Sequence, residues 1–207
     1  MATAKRRRRK PKVIDYYFSL LSDWAYFGGE RLEQLARRYG ATINHMPINL
    51  PKVYEGSGGI LLQKRSWQRQ QYRVVELVRW SRHLGIPIVI QPKYYPTDDE
   101  LAECMIIAAK RARLDAGLLI NALHRAIWAQ EQDLSDPDTL IKIADGLAMD
   151  GAKLVNEARK KIYKDAYRRN TRQALKRGVF GSPFYFYEGD YFWGQDQLGF
   201  LEELLAN

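Results

Sequence analysis

The stretch "RGVFGSPFYFYEGDYFWGQDQLGFLEELL", residues 177 to 205, decides how the rest of the chain is read. Two short aromatic runs, PFYFY and YFW, flank Glu188-Gly189-Asp190, and turn residues between two strand-like runs predict a β-hairpin. The segment that follows sets Leu198, Leu201 and Leu205 on one face of a helix. Ahead of the hairpin stands Gly181-Ser182-Pro183. A proline directly before a short strand cannot donate to a sheet, and in a tight turn it can be cis, which leaves the Ser182 backbone free to pair with an extended peptide. An ordinary turn proline is the plainer alternative. Asp196, in the Gly-containing turn before the last helix, is either a helix cap or a carboxylate for an ammonium group.

Working back to the start, "VIDYYFSLLSDWAYFGGERLEQL", residues 13 to 35, opens with β-branched and aromatic residues that suit a strand over 13 to 19. From residue 24, Leu32, Leu35, Ala36 and Tyr39 recur at helical spacing, and Gly40 supplies a stop. "ATINHM" reads as a second strand halted by Pro47, so the opening predicts two parallel strands joined by a helix. "PKVYEGSGG", from residue 51, reads as a loop.

Residues 61 to 177 are almost wholly helical in pattern, with about six helices. One ends at Gly85. "TDDE", residues 97 to 100, reads as a capping box for the next, Pro137 sits in the first turn of another, and Asp150 is a cap candidate. Strand, helix, strand, helical insert, strand, strand, helix is the thioredoxin plan with a helical domain spliced in. The expected organisation is a basic disordered tail over 1–12, a split α/β thioredoxin-like domain over 13–60 and 178–207, and an inserted all-helical domain over 61–177.

At 207 residues and 46% hydrophobic content the chain can bury a substantial core. Seven of the nine net positive charges lie in residues 1 to 12, so the basicity is mainly a tail. Such a block binds nucleic acid or anionic membranes in some proteins and is a solvated extension in most; nucleic-acid binding is not expected here. Asp15 and Asp23 interrupt the apolar run after the arginines, and no stretch reaches the ~20 apolar residues of a membrane span, so a cytoplasmic protein is expected. Cys104 is the one cysteine, which excludes an internal disulfide and dithiol redox chemistry. The three histidines lack metal-ligand spacing.

Ligands of open α/β sheets gather beyond the carboxyl ends of the strands, where helix N-termini point outward. Ser22 stands at that junction, either as a cap or as a group facing a ligand. Together, the "YFSLLSDWAY" junction (17–26), "VRWSRHLGIPIVIQPKYYP" (78–96), "IWAQEQDLSDPDTL" (127–140) and the C-terminal stretch resemble the 2-hydroxychromene-2-carboxylate isomerases and kappa-class glutathione transferases, in the DsbA-like branch of thioredoxin folds.

The resemblance implies a glutathione-dependent enzyme acting on an aromatic or conjugated electrophile, with a homodimer as one assembly. It implies that the Ser22 hydroxyl meets the glutathione sulfur, that Ser182 and Pro183 pair with its cysteinyl backbone, that Asp196 holds its γ-glutamyl ammonium, and that Lys64 or Arg65 meets its outer carboxylate. Trp24, Tyr26, Trp67 and Trp193 are candidates to line a flat apolar pocket. Two departures stand out: Gly59 replaces a family asparagine, and Asp23 replaces the proline common after the serine. A carboxylate there opposes a thiolate unless it is paired. A kappa-type transferase and a non-catalytic thioredoxin-like peptide-binding protein are the competing readings.

Overall fold

A computed structural model describes residues 11–207, so most of the basic tail lies outside the described residues. Lys12 already belongs to the fold, its carbonyl accepting from the Thr42 N–H at 2.8 Å. Strand β1 (Val13–Phe18), helix α1 (Asp23–Tyr39) and strand β2 (Thr42–Pro47) form the predicted opening, with β1 and β2 parallel from Val13 opposite Thr42 to Phe18 opposite Pro47. Gly40 ends α1 at a φ of 62°, a left-handed geometry that glycine reaches without strain.

At the other end, β3 (Phe184–Tyr187) and β4 (Asp190–Trp193) make the predicted hairpin. Glu188 and Gly189 turn it with φ of 50° and 93°, the positive-φ pair that matches the right-handed twist of the strands. β3 lies antiparallel to β1, giving the sheet order β2-β1-β3-β4. Helix α9 (Leu198–Ala206) closes the chain, burying Leu198, Leu201 and Leu205.

Between β2 and β3 run α2 (Leu50–Ser57), α3 (Trp67–Leu84), α4 (Glu100–Arg111), α5 (Ala116–Gln130), α6 (Pro137–Asp145), α7 (Gly151–Ala158) and α8 (Lys161–Lys176). The last six occupy the stretch whose periodicity predicts about six. Helix α2 replaces the expected loop: Asn49 caps it by accepting the Lys52 N–H at 3.0 Å, and Pro51 sits in the first turn, where its missing N–H costs nothing. The capping box over 97–100 does not form. The Thr97 hydroxyl donates instead to Asp133 at 3.0 Å, and Asp99 faces the Ser19 hydroxyl at 3.5 Å, so tertiary partners outcompete the local cap.

Alternating side chains of β1 serve two packed layers. Ile14, Tyr16 and Phe18 enter a core shared with α1, α4, α5, α7 and α9, while Tyr17 faces Met46, Val53, Ala174 and Phe184. The inserted helices therefore pack directly on the sheet, and α4 and α5 grip the chain just past β1. The Leu20 N–H donates to Glu103 Oε1 at 2.8 Å, and the Trp128 indole N–H donates to the Leu20 carbonyl at 2.9 Å. Cys104 is buried in the same core, and burial, followed by Glu100 and Glu103, pushes its thiol up to about 12, so it stays protonated and inert. No described helix is long and apolar enough to cross a membrane.

Candidate active site

The chain leaves β1 through Ser19-Leu20-Leu21 and enters α1 at Ser22. Ser22 is the cap that its residue type predicts, with extended backbone and a hydroxyl that accepts from the Ala25 N–H at 3.2 Å. The same hydroxyl donates to the Ser182 carbonyl at 2.9 Å, and the Ser182 hydroxyl accepts from the Ser19 N–H at 3.0 Å. Both serines are only 5% exposed. The Ser182-Pro183 bond is cis, as its place before β3 suggests, and the Ser182 N–H has no hydrogen-bond partner among the described residues. An open backbone donor beside a helix N-terminus is a fitting place for an extended peptide-like ligand.

A cavity of about 1160 Å³ opens over this junction. Ser22, Ser182, Asp196 and Arg65 all line it, whereas Lys64 does not, although it is adjacent to Arg65. The reason is local: the chain makes a short 3-10 turn over Leu62–Lys64, which divides neighbouring side chains between different directions. Arg65 is anchored by donating to the Ile60 carbonyl at 2.9 Å and lies over the Tyr54 ring, 5.8 Å from its centre. Asp196 is exposed at the cavity, accepts only from Gln197 at 2.8 Å, and has no cation partner among the described residues. Gly194 before it has φ 104° and ψ 151°, a region glycine alone enters freely, and its N–H reaches back to the Pro183 carbonyl at 3.0 Å. That bond ties the Asp196 turn to the cis proline.

Of the four aromatic candidates, Trp24 and Trp193 line the cavity. Tyr26 is buried with its hydroxyl on the Pro87 carbonyl at 2.7 Å, and Trp67 is 70% exposed at the start of α3, outside the lining. Gly59 has no room for a side chain, since a Cβ there would fall 2.3 Å from Tyr54 Cδ1. The Tyr54 ring, which lines the cavity, thus takes the space on that side.

The DSBA-like thioredoxin domain matches this chain over residues 13–206. The chain belongs to the DsbA-like thioredoxin family. A 2-hydroxychromene-2-carboxylate isomerase of Sphingobium xenophagum is 30% identical over 197 residues, covering 95% of this chain and 99% of that protein. A solved 2-hydroxychromene-2-carboxylate isomerase superposes with a TM-score of 0.81 at 26% identity, covering 94% of each chain. A kappa glutathione transferase of Caenorhabditis elegans is 24% identical, covering 84% of this chain and 80% of that one. Within the DsbA-like family the chain stands with the isomerases, and it is an enzyme of that class.

At the junction of this DsbA-like enzyme, Ser22 is followed by an acidic residue, Asp23. It is buried at the start of α1, where Oδ1 accepts the Trp24 N–H at 2.8 Å and Oδ2 is paired with the Arg73 guanidinium from α3. Burial raises its pKa from the usual carboxylate value, while Arg73, then the Trp24 N–H, pull it back. The carboxylate that sequence alone sets against a thiolate is therefore neutralised by a residue 50 positions away. Sequence reading missed Arg73, and also Tyr54 and Tyr95, which line the same cavity. Nothing in the sequence set Arg73 apart from Arg69, Arg79 and Arg82, the other arginines of α3.

Beneath the junction lies a second acidic feature, Glu103 on α4 and Asp99 just before it, both buried. Burial lifts Asp99 to about 7 and holds Glu103 well above the usual glutamate value, with each raised further by acidic neighbours. A carboxyl whose folded pKa is raised contributes stability that is complete below its unfolded value near 4 and is lost as pH rises through the folded value. Relative to Asp99→Asn, the wild type should lose thermal stability from pH 4 to pH 7. His124, held down to about 4 by burial, titrates in the same range in both proteins and drops out of the difference. Parallel unfolding midpoints that do not diverge with pH would contradict this.

Proposed function

We propose that the cavity binds glutathione and that the enzyme interconverts 2-hydroxychromene-2-carboxylate and trans-o-hydroxybenzylidenepyruvate, or a closely similar conjugated aromatic electrophile. The observation that carries the reading is the junction itself: a serine hydroxyl at a helix N-terminus, hydrogen-bonded at 2.9 Å to the carbonyl before a cis proline, in the wall of a cavity that also presents an unpaired carboxylate. The residues fit the tripeptide. The free Ser182 N–H suits an extended backbone, Asp196 suits an ammonium group, and Arg65 suits a carboxylate. Arg65 is favoured over Lys64 because it faces the cavity. The names of the isomerase and kappa-transferase relatives support the same ligand and reaction class.

When bound, glutathione would supply a thiolate: once the hemiketal C–O bond of the ring opens to a ketone and a phenol, the thiolate would add reversibly to the conjugated carbon, leaving a single bond free to rotate before its elimination restores the double bond. The protein supplies no covalent nucleophile in this scheme. Ser22 donates its hydroxyl proton toward the sulfur, which requires the O–H to turn from the Ser182 carbonyl. The α1 N-terminus favours negative charge there, and Arg73 screens Asp23 from it. Pro183 fixes the backbone of Ser182, and the cavity wall keeps the reacting groups oriented. Reduced glutathione is maintained in the cytoplasm, which suits the expected location.

Isothermal titration with glutathione tests the reading. Wild type should bind it, and Asp196→Asn should weaken binding by about tenfold, as expected for losing one charge-assisted hydrogen bond. No heat with the wild type would overturn glutathione as the co-reactant.

A further inference from the structure

The Asp23–Arg73 pair is more than a neutralised nuisance. Both oxygens of Asp23 are occupied, one by the Trp24 N–H and one by Arg73. Arg73 is not correspondingly saturated. Its guanidinium carries five N–H donors, and Asp23 is its only hydrogen-bond or ion-pair partner among the described residues. The side chain is 12% exposed, its remaining nitrogens are absent from the sealed, partnerless polar atoms, and the residue lines the cavity. Its spare donors therefore face the ligand space.

A pair serving only the fold would be expected to bury its donors or to be replaced by apolar residues, since buried ion pairs add little net stability. Here each carboxylate oxygen has a partner and the cation is left open, which is the arrangement of a braced anion receptor. Of the four tyrosines that line the cavity, Tyr54 and Tyr95 are half-buried. Tyr54 accepts from Arg65 at 3.5 Å, and the Tyr95 hydroxyl has no partner among the described residues yet is not sealed off. Burial pushes Tyr95 up to about 12, so it remains a protonated donor at neutral pH. Arg69, one turn earlier on α3, also reaches the cavity but is exposed and has no bracing carboxylate.

We propose that Arg73, braced by Asp23 and aided by the Tyr95 hydroxyl, receives a carboxylate of the second substrate and so makes the enzyme select conjugated aromatic electrophiles that carry one. The inference rests on the reading above for the identity of the co-reactant. It assigns Arg73 as a specificity residue and Asp23 as a positioning residue acting through it. Planar, two-pronged recognition is what a guanidinium provides and a lysine does not, so Arg73→Lys should rescue only part of the function.

The test compares trans-o-hydroxybenzylidenepyruvate with o-hydroxybenzylideneacetone, in which a methyl group replaces the carboxylate, by calorimetry and by turnover with glutathione. The wild type should bind the carboxylate at least about tenfold more tightly than the ketone, and Arg73→Met should abolish that preference. Asp23→Asn should raise KM for the carboxylate with a much smaller change in kcat. Because Arg73→Met leaves Asp23 buried without a partner, the double variant Asp23→Asn with Arg73→Met is measured alongside, with thermal unfolding to confirm folding. Equal losses for both ligands in the folded double variant, or a wild type with no preference, would overturn the proposal. Carboxylate binding that depends on Arg73 in a protein that does not bind glutathione would uphold the anion seat and remove the co-reactant. Glutathione binding with no carboxylate preference would do the reverse.

Discussion

Replacing Ser22 by alanine is expected to lower kcat for the isomerisation by about 10²–10³-fold, the usual consequence of removing one hydrogen-bond donor aimed at developing or resident negative charge. The hydroxyl has two partners in the protein, the Ala25 N–H and the Ser182 carbonyl, so the same change also removes a helix cap and a cross-link between distant segments. The cap alone is worth about 1 kcal/mol. The two effects separate experimentally. Ultraviolet titration of bound glutathione should show the thiol pKa raised in Ser22→Ala, whereas Ser22→Thr, which keeps a hydroxyl and a cap, should titrate close to wild type. An unchanged thiolate titration in Ser22→Ala would remove Ser22 from the chemistry and leave it as a cap.

The largest expected loss of stability is at Trp128. This side chain is fully buried in the core between α5 and the sheet, lies tilted against the Tyr95 ring at 4.9 Å between ring centres, and donates to the Leu20 carbonyl at 2.9 Å. Trp128→Ala should cost about 3–5 kcal/mol through lost apolar contact and the cavity it leaves. Trp128→Phe retains most of the apolar surface but leaves the Leu20 carbonyl without that donor, for about 1–3 kcal/mol. Because Leu20 lies in the segment that presents Ser22, the Phe variant should also lose activity while still folded. Denaturant midpoints and kcat measured on both variants check this, and a Trp128→Ala protein within about 1 kcal/mol of wild type would contradict the packing role.

The sheet and most of the helices were legible because their signals are local. Aromatic runs on either side of Glu188-Gly189 fix a hairpin, and a helical stripe ending at Gly40 fixes α1, since period and turn chemistry act over a few residues. Helix α2 was obscured by its own glycines and by Pro51, which serve its ends as well as they would serve a loop. At 97–100 the residues of a capping box were present, but Thr97 and Asp99 found partners on other segments.

By itself the sequence determined the order of the strands and of every helix but α2, the exclusion of dithiol chemistry by a lone Cys104, and the residue types of the junction: a serine at a helix start, a proline before a strand, a carboxylate before the last helix. The tertiary structure decided what those residues face. It turned Arg65 and not Lys64 to the cavity, joined Ser22 to Ser182 across 160 positions, and gave Asp23 a cation from α3. Capping and periodicity follow from bonds within a turn or two, whereas the charge balance of a site depends on which distant helix packs beside it, and that is fixed only when the core forms.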